Sequence, residues 1–141
     1  MLKSHYHCLY KVTYHLVLLT KDQKNCFNED MLVRLNEITH ELCDKADIKL
    51  VEFNAGSDHV YLLLEAHPNV MPSRFVNSLK TVTSRFMRKE FGGELAKFYS
   101  EKVLWARGYC LLTSGDVSDK TIADYIGKNT NRLNKDSSAS E

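Results

Sequence analysis

Asp58-His59-Val60-Tyr61-Leu62-Leu63-Leu64-Glu65-Ala66 is the stretch that decides the fold. Alternate residues of a strand share a face, so Val60, Leu62 and Leu64 point together toward a core, while His59, Tyr61 and Leu63 point the other way. Just upstream, Ile48 to Phe53 reads as a second strand. Asn54-Ala55-Gly56-Ser57 makes a short hairpin-type turn between the two. Further upstream, Val12 to Thr20 (VTYHLVLLT) is rich in β-branched and aromatic residues and predicts a buried strand.

Helical spacing fills the gaps between these strands. Met31, Leu32, Leu35, Ile38, Leu42 and Cys43 repeat at a helical period, which predicts a helix capped by Asn28 or Asp30 and ending near Asp47. Pro68 and Pro72 bracket a loop, and Ser73 is placed to cap a long helix running to about Phe91. Its wheel sets Phe75, Val76, Leu79, Val82 and Phe86 on one side and Arg74, Arg85, Arg88 and Lys89 on the other. Gly92-Gly93 should end it. Gly108 to Thr113 reads as a fourth strand, and Ser118 or Asp119 opens a last helix over roughly 120–133. The order strand, helix, strand, strand, helix, strand predicts an α+β, ferredoxin-like split β-α-β fold with one antiparallel sheet. Two helices would cover one face. The other face is left for a site or for the added C-terminal helix.

The chain is one domain's worth at 141 residues, taken as a single domain over 1–133 with a polar, disordered tail over 134–141. The apolar runs Leu16–Leu19 and Val60–Leu64 fall far short of the ~20 residues of a membrane span. The polar N-terminus shows no signal peptide, so a cytoplasmic location is expected. Cys8, Cys26, Cys43 and Cys110 form no CxxC pair and read as reduced thiols. Net charge is +1, but residues 1–70 carry 7 Lys+Arg against 10 Asp+Glu, whereas residues 71–141 carry 12 against 8. A polyanionic partner would therefore touch the C-terminal half.

The residue types that could carry chemistry are few. His59 on the open face of a strand is a rigid nitrogen donor suited to a metal, although a lone strand histidine is more often structural. Tyr125 and Asn129 lie one turn apart on the last helix, where a helix packed on the sheet would present both toward His59. From the helix alone Tyr125 is better read as an ordinary apolar anchor beside Ile122 and Ile126. Lys80, Arg85 and Arg88 on the long helix are placed for backbone phosphates. Arg107 stands beside Trp105, an aromatic that either stacks on unpaired bases or packs in the core. Lys120, Lys128 and Arg132 make the last helix basic around Tyr125.

Four segments resemble the single-tyrosine HUH transposases of the insertion-sequence 200/605 type. They are Tyr14-His15-Leu16-Val17 leading to Thr20-Lys21, Asp58-His59-Val60-Tyr61-Leu62-Leu63, and Phe75-Val76-Asn77-Ser78-Leu79-Lys80 with Ser84-Arg85. The fourth is Trp105-Ala106-Arg107-Gly108-Tyr109, followed by Tyr125-Ile126. The likeness runs along nearly all of residues 10–133. It implies a bacterial or archaeal mobile-element protein, a homodimer joined sheet edge to sheet edge, and recognition of hairpins in single-stranded DNA. It implies Tyr125 as nucleophile forming a 5′-phosphotyrosine link. It also implies an Mg²⁺ or Mn²⁺ ion that polarises the phosphate, held by His59, by the position of Tyr61 and by the position of Asn129.

Two of those positions depart from the family. Tyr61 stands where the HUH motif has its second histidine, and Asn129 where it has glutamine. Asn keeps an amide oxygen. A neutral phenol is a weak ligand for a hard divalent cation, and ionising it at pH 7 is costly. The sequence thus admits a working metal-dependent transposase with a variant site, or a catalytically impaired DNA- or RNA-binding regulator derived from one. A ferredoxin-like interaction domain without nucleic acid is the third reading, in which the basic helix face is simply solvated.

Overall fold

A computed structural model of the chain describes residues 11–113 and 122–127. Strand β1 (Val12–Leu19) leads through a tight turn at Lys21–Gln23 into helix α1 (Glu29–Lys45). Strands β2 (Lys49–Ala55) and β3 (His59–Ala66) form a hairpin. Helix α2 (Pro72–Glu90) follows, then a single helical turn α3 (Gly92–Leu95) and strand β4 (Cys110–Thr113). The sheet order is β2-β3-β1-β4, with every pairing antiparallel. This is the ferredoxin-like arrangement that the element order predicted.

Local chemistry explains most boundaries. Asn28 caps α1, its side-chain oxygen accepting from the Met31 amide at 2.9 Å, and Glu29 and Asp30 complement the helix dipole. At α2 the expected cap is not used. Ser73 lies inside the helix and Pro72 takes the first helical position, where its fixed φ and missing N–H cost nothing. Gly92-Gly93 does not stop the chain from coiling either. Phe91 breaks the helix at φ −126° and ψ 33°, and Gly92 to Leu95 resume as α3.

The core lies between the two long helices and one sheet face. Val60, Leu62 and Leu64 of β3 and Leu16 and Leu18 of β1 meet Met31, Leu35, Ile38, Val76, Leu79 and Met87 there. On α2, Thr83 and Met87 are buried, whereas Val82 and Phe86, expected inside, are only partly covered. Thr83 tolerates burial because its hydroxyl donates to the Leu79 carbonyl and accepts from the Trp105 indole N–H at 2.9 Å.

Val17 and Leu19 are buried too, although they lie on the other sheet face. Each pairs across the ladder with Tyr61 and His59 respectively, and directly paired residues share a face. The face that carries the histidine is therefore sheltered around it rather than open to water. Among the described residues no helix is long and apolar enough to cross a membrane. Cys26, Cys43 and Cys110 are free thiols. Cys8, the tail over 134–141 and the cap of the last helix lie outside the described residues.

Candidate functional site

The site is built on one end of β3. The turn from β2 brings Gly56, whose amide donates to the His59 carbonyl at 3.0 Å, directly against the His59 ring. A methyl group on Gly56 would stand 2.6 Å from His59 Cε1 and 3.1 Å from Nδ1. No real Cβ contact is so short, so glycine is required here by the close approach of the imidazole.

His59 Nδ1 lies 2.7 Å from Asp58 Oδ1. A carboxylate can only accept, so in the neutral ring Nδ1 carries the proton and Nε2 keeps the lone pair. This carboxylate–histidine pairing is the arrangement that orients and strengthens a metal-ligating imidazole. Asp58 is itself held. Its Oδ2 accepts from Gln23 Nε2 at 3.0 Å, and its carbonyl accepts from the amide and hydroxyl of the fully buried Thr20.

Tyr61 is two residues on and half-buried on the same face. Its hydroxyl shares a 2.7 Å hydrogen bond with Nδ1 of His15, which sits diagonally opposite on β1. In the sequence His15 stands within a strand and within one of the family-like segments, neither of which marks it as a site residue. Its signal was its parity, because it falls on the same side of β1 as Val17 and Leu19. No motif in the sequence marks Gln23, since its contact depends on the turn that carries it.

The remaining expected positions divide. Tyr125 is half-buried in a helical segment, residues 122–127, as the sequence predicted for the last helix. Asn129, Lys128 and Arg132 lie outside the described residues. Among the described residues, no three side chains of His, Cys, Asp or Glu gather to hold an ion. The described donor set is thus one well-prepared imidazole and one phenol. It fits a divalent ion only as part of a shell completed by further oxygen donors.

On α2, Arg85 is exposed and Arg88 half-buried. Arg88 Nε donates to Ser84 Oγ at 3.2 Å. With Lys89 and Lys102 they line a groove of about 430 Å³ between the end of α2 and the loop over 99–103. Glu101 also lines the groove, and the nearby acid Glu90 is occupied by Arg34 at 2.8 Å, so four cations face one lining carboxylate. Lys80 has a different setting. Its ammonium donates to the carbonyls of Ala106 and Arg107 at 2.8 and 2.9 Å, and burial lowers its pKa. Arg107 is exposed. Trp105 is only 8% exposed and packs edge-on against Phe27 with its N–H on Thr83. It belongs to the core and is not a surface for bases.

The structure thus combines a ferredoxin-like sheet, an Asp-His pair on its sheltered face and a tyrosine on a trailing helical segment. The chain belongs to the IS200-like transposase family, whose model matches residues 8–129. It is thus a protein of DNA transposition, of the single-tyrosine type its segments resemble. The transposase of insertion sequence element IS200 from Salmonella typhimurium is 31% identical over 124 residues, spanning 88% of this chain and 80% of that one. The ISDra2 transposase TnpA of Deinococcus radiodurans is 26% identical over 118 residues, 84% of each. A crystal structure of a Deinococcus radiodurans R1 protein assigned as a transposase superposes with a TM-score of 0.81 at 27% identity, covering 91% of this chain and 98% of that one. A REP-associated tyrosine transposase solved with a REP hairpin shares the fold, with a TM-score of 0.58 at 8% identity over 87% of this chain and 68% of that one.

Proposed function

We propose that this chain binds hairpins in single-stranded DNA and cleaves and rejoins strands through Tyr125. The observation that carries the reading is His59, an imidazole fixed by Asp58 with Nε2 kept as a lone-pair donor. Metal-ligating histidines characteristically carry such a partner on the other ring nitrogen. In the proposed step the Tyr125 oxygen attacks a backbone phosphorus as the phenol gives up its proton. The bond to the 3′-oxygen breaks, and that oxygen takes up a proton. The product is a 5′-phosphotyrosine and a free 3′-hydroxyl. Attack by another 3′-hydroxyl reverses the sequence and rejoins a strand.

An Mg²⁺ or Mn²⁺ ion, when bound, would neutralise the phosphate and make phosphorus more electrophilic. His59 Nε2 is its proposed anchor, with Asn129 and Tyr61 at the other expected positions. The groove lined by Arg85, Arg88, Lys89 and Lys102 supplies cations for the DNA backbone. Arg107, Lys128 and Arg132 are proposed to add to it. A homodimer is proposed through an edge of the sheet, where β2 and β4 are the outer strands.

One observation favours a second reading. The Tyr61 phenol is committed to His15 at 2.7 Å, so the second HUH position has been rebuilt as a hydrogen-bonded pair. On that reading the chain still binds hairpin DNA or RNA but cuts slowly or not at all. Electron paramagnetic resonance with Mn²⁺ separates the two. Binding by the native protein that is lost in His59→Ala supports the enzyme. No binding up to millimolar Mn²⁺, together with binding gained in Tyr61→His, supports the regulator.

A further inference from the structure

The loop between β1 and α1 is stitched to the β2–β3 turn along its length. Thr20 holds the Asp58 carbonyl through its amide and hydroxyl at 3.0 and 3.1 Å. Ser57 Oγ donates to Asn25 Oδ1 at 2.7 Å, and the Phe27 amide donates to the Ser57 carbonyl at 3.0 Å. Between these ties the backbone does something expensive. Asp22 and Gln23 both take left-handed angles, φ 57° and 51°, and neither is glycine. Residues with a Cβ are strained there, and strain of this kind persists where the surrounding structure enforces it.

Gln23 carries a second cost. Its Oε1 is buried without a hydrogen-bond partner. Its amide nitrogen meanwhile makes one contact, the 3.0 Å bond to Asp58 Oδ2. The strained turn and the orphaned carbonyl thus serve a single bond, and that bond lands on the carboxylate that orients His59.

We propose that Gln23 is a positioning residue for His59. It pins the Asp58 carboxylate so that Oδ1 faces His59 Nδ1, which fixes the imidazole proton there and keeps Nε2 as the lone-pair nitrogen. The proposal rests on the reading of His59 as the metal-binding imidazole. Without Gln23, Asp58 is free to turn about its terminal torsion, and the ring drifts toward the tautomer with its proton on Nε2. That tautomer has no lone pair to offer at Nε2.

The test uses two variants of the full chain, Gln23→Met and Gln23→Gly. The first keeps the side-chain length without the amide. The second also relieves the left-handed backbone, so its melting temperature should not fall. Ring ¹⁵N spectra of metal-free protein at pH 8 report the tautomer, with His59→Ala assigning the signals. The native spectrum should show His59 protonated on Nδ1. Both variants should shift toward the Nε2-protonated form, and Mn²⁺ binding should weaken by about tenfold or more. Unchanged His59 shifts in both variants would overturn the proposal. If the native protein binds no Mn²⁺ yet the shifts move, the positioning role stands and the metal-ligand reading falls.

Discussion

Tyr61 and His15 meet diagonally across the β1–β3 ladder, hydroxyl to Nδ1, at 2.7 Å. The position that the family fills with a second histidine is here one half of a hydrogen-bonded pair. A phenol so engaged adds little to the binding of a hard cation. Tyr61→His should therefore raise Mn²⁺ affinity by at least about tenfold, an effect of the size seen when the surroundings of a metal ligand change. Isothermal titration with Mn²⁺ reads this directly, and equal affinities in the two proteins would show that position 61 takes no part.

Gly56 sets the other limit on the site. A Cβ there would fall 2.6 Å from the His59 ring. In Gly56→Ala either the ring or the turn must move. The expected loss of stability is about 1–3 kcal/mol, as for an overpacked contact. Mn²⁺ affinity should fall further than this loss explains, because the His59–Asp58 bond is displaced. Urea unfolding beside a Mn²⁺ titration separates the two effects.

Lys80 and Arg85 share a helix but should answer differently to mutation. Lys80→Met leaves the carbonyls of Ala106 and Arg107 without their donor, at a cost of about 1–3 kcal/mol. Its effect on the salt dependence of hairpin binding should be small. Arg85→Gln should barely change stability and should lower the slope of log affinity against log salt by about 1. Fluorescence anisotropy over a salt series, with thermal melts in parallel, checks both expectations.

Trp105 donates to Thr83 inside the core, so Trp105→Phe removes that donor and part of the packing on Phe27. A loss of about 1–3 kcal/mol is expected. At temperatures where the variant stays folded, hairpin affinity should match that of the native chain. A selective loss of affinity without a loss of stability would instead place the indole at the DNA.

Burial pushes the Cys43 thiol up to about 12 from an ordinary 9.0. Because the folded value lies above the unfolded one, this stability is fully present below pH 9. It is lost progressively as pH rises from 9 toward 12. Stability measured across that window should fall less steeply in Cys43→Ala than in the native chain.

The fold was legible because its signals are local. Alternation in Val60, Leu62 and Leu64 fixed the inward face of β3, and those residues are buried as expected. The Met31-to-Cys43 spacing set α1, and Asn28 caps it. Errors came where one local rule competed with another. Pro72 displaced Ser73 at the start of α2, and the tertiary partner Trp105 drew Thr83 inside. The site was legible only in part. His59 and Tyr61 followed from strand parity, but Gln23 reaches Asp58 across 35 residues through a strained turn, and His15 reaches Tyr61 across 46. No periodicity announces such contacts, because sheet register and turn geometry create them.

Mass spectrometry of the protein after reaction shows whether Tyr125 forms a covalent bond with DNA. Native protein, Tyr125→Phe and His59→Ala would be incubated with a varied pool of hairpin oligonucleotides in Mg²⁺ or Mn²⁺, then digested and mapped. A 5′-phosphonucleotide is expected on the peptide bearing Tyr125 in the native protein, none in Tyr125→Phe and much less in His59→Ala. Hairpin binding without any adduct in the native protein, or an adduct on another residue that survives Tyr125→Phe, would contradict it.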